Sequence, residues 1–269
     1  MRLRFAALVA SAGVLLAACG SGPTAAEDPN APLRIGVSPT PHGEILEHVD
    51  ENLAEKAGLD IEIEKFDDYI RPNEALAHGE LDANYFQHKP YLEEYRGERG
   101  GDFAWVQSVH LEPLALYSKQ HESAQEIPDG ATVTLPNDPA NQFRGLKLLE
   151  QGGLIKLKPE AGVGTRLSEA IAENPKKLEL KDLSPDQLPR SVDDAAAAVV
   201  NGNYAVKAKM TDPLLVEESE GNPYANGLVT TPQLAEDPRV QKLAELLRSP
   251  EVQDFIQQKW GGVAVTPAA

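Results

Sequence analysis

Leu33-Arg34-Ile35-Gly36-Val37, the turn Ser38-Pro39-Thr40-Pro41, and Ile61-Glu62-Ile63-Glu64-Lys65-Phe66 frame the stretch that decides the fold class. The first segment is short, apolar and β-branched, as a buried strand is. Between the turn and the last segment, Ile45, Leu46, Val49 and Leu53 recur at i, i+1, i+4 and i+8, so a helix is predicted over residues 42–57. Gly58 follows as its C-terminal cap. The segment from Ile61 alternates apolar and charged residues and reads as a second strand. A β-α-β unit of about 35 residues implies an α/β protein with a parallel sheet.

Reading toward the C-terminus, the same alternation continues. Short helices are expected over 72–78 and 89–96, with an extended piece over 81–86 between them. A second α/β set follows: a strand over 131–135, a helix over 139–151, a strand near 178–180 and a buried run over 195–200. The last residues are helical, 238–247 and 250–260. Two short apolar strands, 113–118 (PLALYS) and 224–230 (YANGLVT), bracket the second set. The chain therefore leaves one lobe, builds another and returns. A groove between two such lobes is a favoured place for a ligand.

Reading toward the N-terminus, Arg2 and Arg4 precede an apolar stretch of twelve residues, Phe5 to Leu16. That is too short to span a bilayer, which takes about 20 residues, and it suits a secretory signal. The sequence Leu16-Ala17-Ala18-Cys19 has the form of a lipobox, in which the Cys is acylated and becomes the mature N-terminus. Cys19 is the chain's only cysteine, so no disulfide can form within it. The plainer alternative is an ordinary signal with an incidental cysteine. Residues 1–18 are thus assigned as signal peptide and 19–32 as a disordered, Pro-rich tether. Residues 33–115 with 228–269 form lobe 1, and 116–227 form lobe 2.

Composition removes several function classes. With 25 Lys+Arg against 42 Asp+Glu the formal net charge is −17, a poor match for nucleic acid. No Gly-x-Ser-x-Gly elbow, Ser-x-x-Lys pair, phosphate-binding glycine loop or short metal-ligand motif occurs. The sequence argues for no enzyme, cofactor or metal.

Four polar and aromatic stretches lie at element ends, where α/β sheets hold ligands. In Phe66-Asp67-Asp68-Tyr69, Tyr69 is a candidate cavity residue, or else the aromatic of a surface turn. In residues 82–91 (DANYFQHKPY), a period of two would set Asn84, Phe86 and His88 on one face and Tyr85 and Gln87 on the other. A buried, hydrogen-bonded structural histidine is the alternative for His88. In residues 137–144 (NDPANQFR), Asp138 is a good N-cap with Pro139 at the first helical position. Asn141 and Arg144 then share a helical face, and Arg144 can grip a carboxylate with its fork. In residues 199–205 (VVNGNYA), Asn201 ends a buried run, where its amide can meet a ligand amine or carboxylate, or simply form an Asn-Gly turn.

At these residues the chain resembles the methionine-binding lipoproteins of bacterial ABC importers, the NlpA-type lipoproteins. The matching stretches are Pro41 to Glu47, DANYFQHKPY at 82–91, ATVTLPNDPANQFR at 131–144, GLIKLK at 153–158, LPRS at 188–191, NGNYA at 201–205 and PYAN at 223–226. The resemblance implies a type II periplasmic-binding-protein fold, two α/β lobes joined by a two-strand hinge. It implies capture of L-methionine or a close analogue and delivery to a permease with its ATPase. It also implies attachment to the extracytoplasmic side of the cell membrane through acylated Cys19. By the family pattern Arg144 holds the ligand carboxylate and Asn201 its polar end. Tyr69, Phe86, His88 and Tyr91 wall the side chain, with Asn84 and Asn141 nearby. Thioether contacts with aromatic edges suit this wall. The chain departs from the pattern at Ser38-Pro39-Thr40 and Ala208-Lys209-Met210. These departures leave methionine, its D-form, its sulfoxide and short methionine peptides as ligands to be separated. Other readings are another apolar amino acid or dipeptide, a metal site using His42, His88 and His110, and a secreted enzyme.

Overall fold

The computed structural model describes residues 31–261 and 265–268. The signal peptide, the Cys19 acylation site and the tether up to residue 30 lie outside the described residues. Among the described residues no helix is long and apolar enough to cross a membrane.

In chain order the strands are β1 (Leu33–Val37), β2 (Ile61–Lys65), β3 (Ala83–His88), β4 (Ala104–Leu111), β5 (Ala115–Tyr117), β6 (Thr132–Pro136), β7 (Lys156–Leu157), β8 (Ile171–Glu173), β9 (Glu179–Leu183), β10 (Ala197–Val200), β11 (Leu215–Val216), β12 (Asn226–Thr230) and β13 (Thr266–Pro267). They form a six-stranded sheet, β13-β4-β12-β3-β1-β2, a five-stranded sheet, β11-β5-β10-β6-β9, and the small pair β7-β8. β1 pairs in parallel with β2 and β3, as the opening β-α-β unit requires. β12 returns late in the chain and lies antiparallel between β3 and β4. In the second sheet β6 is parallel to β9 and β10, while β5 is antiparallel to β10. The protein is thus a two-lobed α/β fold. The chain crosses between sheets once after β4 and once between β11 and β12.

The helices follow the sequence patterns closely. After β1, Thr40 is extended (φ −142°, ψ 143°), and the helix that follows it continues through α1 (Glu44–Val49), Asp50–Ala54 and Glu55–Ala57, with wider turns before and after α1. Ile45, Leu46, Val49 and Leu53 are buried against Leu33, Ile35 and Val37 of β1. Gly58 ends it with φ 70°, a left-handed conformation that glycine adopts without strain. Next come α2 (Arg71–Ala77), α3 (Lys89–Arg99), α4 (Pro139–Gln151), α5 (Gly202–Lys207), α6 (Pro238–Leu247) and α7 (Pro250–Trp260). Separate apolar cores serve the two sheets, one around Leu33, Ile35 and Tyr85, the other around Leu116, Leu135 and Val199.

Two local expectations are corrected. Residues 104–111, unassigned from sequence, are the long strand β4. Its Gln107, Ser108 and His110 mix with Trp105, Val106 and Val109, so neither face reads as apolar. The simple alternation expected in 84–88 also fails. In the pairing of β3 with β12, Gly227 faces Gln87 and Leu228 faces Tyr85, which leaves Phe86 as an extra residue. A bulge of this kind re-aims the side chains around it. Asn84 and Gln87 therefore meet, with Gln87 Nε2 donating to Asn84 Oδ1 at 2.9 Å.

Candidate ligand-binding cavity

Both lobes contribute side chains to one small cavity. Its apolar wall comes from the first lobe. Tyr69 follows β2, Phe86 and His88 end β3, and Tyr91 sits in the first turn of α3. The rings of Tyr69, Phe86 and Tyr91 lie 5.8–6.1 Å apart, centroid to centroid. The turn that brings them together is built locally. His88 caps α3, its Nδ1 accepting from Tyr91 N at 3.1 Å. Pro90 occupies the helix start, where a missing N–H costs nothing.

His88 Nε2 faces Asn141 Oδ1 at 3.1 Å, across the cleft. With Nδ1 accepting, the ring proton must be on Nε2, so Nε2 donates. Burial, aided by the Arg144 charge, pushes the His88 pKa down to about 3, and the ring is neutral. Asn141 is set by the cap of α4: Asp138 Oδ1 accepts from both Asn141 N and Asn141 Nδ2 at 2.9 Å.

Arg144 lies one turn further along α4 and is 4% exposed. Its Nε donates to both oxygens of Glu217 at 3.0 Å. Its Nη2 donates to Glu217 Oε2 at 2.5 Å and to the Glu112 carbonyl at 2.9 Å. The guanidinium carbon stands 4.4 Å from the Tyr224 ring centre. The fork expected for a ligand is thus committed to the protein, and Nη1 is the nitrogen left without a partner among the described residues. One terminal nitrogen, and not the two-pronged fork, is left for any further acceptor.

Asn201 begins α5, is 5% exposed, and its Oδ1 has no hydrogen-bond partner among the described residues. A buried, unpartnered amide oxygen calls for a donor. Beside it, Gly202 packs against the crossing segment after β4; a Cβ on it would come within 2.6 Å of Glu112 Cβ, so only glycine fits. Hydrogen bonds close the cleft around the cavity: Tyr69 OH donates to Asn203 Oδ1 at 2.5 Å and Tyr204 OH to the Asp67 carbonyl at 2.7 Å. Lys207 pairs with Asp67 at 2.6 Å.

Tyr69, Phe86, His88, Tyr91, Asn141, Arg144 and Asn201 therefore share one cavity. Asn84 does not reach it. Its Nδ2 donates to Asn73 Oδ1 at 2.9 Å and to the Pro72 carbonyl at 3.2 Å, which turns it toward α2. The triplets at 38–40 and 208–210 do not line the cavity either. Glu112, Gln87, Asn203 and Asn226 line it and were not singled out from sequence. Glu112 carried a signal, being the one acid in the apolar run Val109-His110-Leu111-Glu112-Pro113-Leu114.

The three histidines of the metal reading separate. His42 and His110 touch, with ring centres 4.7 Å apart, while His88 belongs to the cavity wall. Among the described residues, His42, His110 and Glu112 are the group whose donor atoms converge, within 4.8 Å. Burial pushes the His42 pKa down to about 3. Burial alone would raise Glu112, but His42, His110 and Arg144 hold its carboxyl below the ordinary range.

A cavity between two α/β lobes, lined by one arginine, several amides and a group of aromatic rings, is the arrangement of a solute-binding protein. The family model described as NlpA lipoprotein matches residues 33–269, and the chain belongs to that family. It is 41% identical over 267 residues to the D-methionine-binding lipoprotein MetQ of Salmonella typhimurium, covering 97% of this chain and 96% of the relative. It is 38% identical to the methionine-binding lipoprotein MetQ of Bacillus subtilis, covering 98% and 97%. A solved structure of a nutrient binding protein from Burkholderia cenocepacia bound to methionine superposes with a TM-score of 0.84 at 38% identity, covering 88% of this chain and all of that one.

Proposed function

We propose that this protein captures L-methionine in the cavity between its lobes and delivers it to an ABC importer, held to the outer face of the cell membrane by acylated Cys19. It works as a binding protein and not as an enzyme. The observation that carries this reading is the lining of the cavity, which combines the Arg144 cation and the unpaired Asn201 Oδ1 with the Tyr69, Phe86 and Tyr91 rings. An amino acid with a long apolar side chain matches both kinds of group. Sulfur gains about 0.3–1.5 kcal/mol per aromatic contact, a reason to prefer methionine to other apolar side chains. D-methionine is the second reading, supported by the names of the enterobacterial relatives.

Competition of labelled L-methionine by unlabelled L-methionine, D-methionine, norleucine, alanine and glutamine tests the reading. L-methionine should compete best and norleucine should come next among the simple analogues. Better competition by D-methionine transfers the assignment to that enantiomer. Better competition by glutamine or alanine overturns it.

A further inference from the structure

Three buried side chains from separate elements meet beside the cavity. His42 comes from the helical segment after β1, His110 from the end of β4, and Glu112 from the segment between β4 and β5. They are 1%, 0% and 5% exposed. One donor atom of each lies within 4.8 Å of the other two. His110 is fully engaged: its Nε2 meets Glu112 Oε1 at 2.7 Å and its Nδ1 meets Tyr85 OH. His42 is not. Its Nε2 stands 3.3 Å from Glu112 Oε1, yet neither of its ring nitrogens has a hydrogen-bond partner among the described residues. The ring is held edge-on against Tyr85 and His110, at 4.9 and 4.7 Å between centres. A neutral imidazole has one donor and one acceptor nitrogen, and burying both unpaired is costly.

We infer that His42, His110 and Glu112 form a site for one zinc ion, distinct from the amino-acid site. Two imidazoles and a carboxylate are a zinc donor set, with the fourth position left open. Magnesium and calcium prefer oxygen ligands and should be refused. The spacing suits a tetrahedral shell, in which bonds of about 2.1 Å set ligand atoms about 3.4 Å apart. The His42–Glu112 separation of 3.3 Å already matches. The 2.7 Å between His110 and Glu112 must open by about 0.7 Å. The protonation states are ready as well. Burial keeps His42 neutral, and the surrounding groups keep Glu112 ionised, which are the forms that bind metal. The Tyr85 hydroxyl can accept as well as donate, so its contact with His110 Nδ1 survives when Nε2 takes the ion and Nδ1 carries the proton. Arg144 Nη2 holds the Glu112 carbonyl at 2.9 Å, and Glu217 balances the Arg144 charge. Glu112 also lines the cavity, which gives an ion a path to the site from the cleft.

Calorimetry with zinc chloride tests this on the full chain carrying Cys19→Ser, which removes the lone thiol as a competing ligand. One zinc should bind per chain, while magnesium and calcium should give no binding. Loss of an outer-shell partner typically weakens a metal about 10–100-fold, so loss of a ligand in His42→Gln or His110→Gln should cost at least about a hundredfold. His78→Gln, at an exposed histidine, should change the affinity by less than about threefold. Cobalt(II) in the same protein should give the intense visible absorption of a four-coordinate ion, and His42→Gln should abolish it. If the histidine variants do not fold, Tyr85→Phe, which keeps all three ligands, should still weaken zinc about 10–100-fold. A protein that takes up no zinc overturns the inference. So do ligand variants that bind zinc within about threefold of the parent, a Tyr85→Phe variant with unchanged affinity, or the pale spectrum of six-coordinate cobalt. Methionine competition is read separately on the same protein, so failure of either site leaves the other decided on its own evidence.

Discussion

Lowering the pH from 7 to 5 should destabilise this protein through its two buried neutral imidazoles, His42 and His88. Both are pushed by burial from 6.5 down to about 3. In the unfolded chain each takes up a proton near pH 6.5; in the folded chain neither does until about pH 3. Unfolding therefore binds protons throughout this window, and stability falls as pH falls. The contribution is fully present above pH 6.5 and is lost progressively toward pH 3. Over the step from pH 7 to 5, linkage gives about 2 kcal/mol per histidine, because 1.36 kcal/mol applies to each pH unit below the unfolded value. This figure barely depends on the folded value, provided it stays below about 4. Two histidines thus remove about 4 kcal/mol from a total that is about 5–15 kcal/mol for ordinary domains. Other groups titrate too. Burial and the neighbouring Glu98 raise the Glu94 carboxyl to about 8, which acts with the opposite sign. The decisive measurement is therefore a difference. Urea unfolding of wild type and His42→Gln at pH 7 and 5, extrapolated linearly to water, should show the variant losing about 2 kcal/mol less over that step. Equal losses would mean that His42 is solvated or charged in the folded protein, and the burial argument would fail.

Arg144→Ala should weaken methionine binding by about 2–5 kcal/mol, since it strips a buried carboxylate of its partner and frees Glu217 as well; calorimetry that finds less than a threefold change would make Arg144 structural only. Phe86→Ala should weaken methionine and shrink the gap between methionine and alanine, because the lost contact belongs to the side chain; a missing methylene in such a wall is worth about 1–3 kcal/mol, and an unchanged gap by competition binding would remove Phe86 from the thioether site. Cys19→Ser should move the protein from the membrane fraction to the soluble fraction on fractionation, and retention in the membrane would refute the acyl anchor.

What was legible in the sequence was periodicity and punctuation. The β-α-β opening, the cap at Asp138 with Pro139, and the two terminal helices were all readable because one face of each element is uniformly apolar or its ends carry strong capping residues. Seven expected cavity residues were readable because they sit at element ends, where α/β folds gather side chains from distant stretches. Asn84 was misplaced because a bulge depends on the partner strand, and no local pattern in 82–91 announces that Gly227 and Leu228 will skip Phe86. β4 was missed because its faces meet different surroundings along its length, so neither is consistently apolar. The commitment of Arg144 to Glu217 spans 73 positions in sequence and comes from the tertiary fold alone.

The same long-range contacts bear on how the cleft closes. Tyr69 with Asn203, Tyr204 with Asp67 and His88 with Asn141 join the lobes by neutral hydrogen bonds. Each contributes about 1 kcal/mol net. The Lys207–Asp67 pair is exposed and adds little. Against these stands an acceptor that the closed cleft buries without a protein partner, Asn201 Oδ1. Such a group costs about 1–3 kcal/mol. The opposing contributions are of similar size, so the protein's own contacts across the cleft do not strongly drive the lobes together. A ligand that donates to Asn201 Oδ1 would remove that cost and tip the balance toward closure.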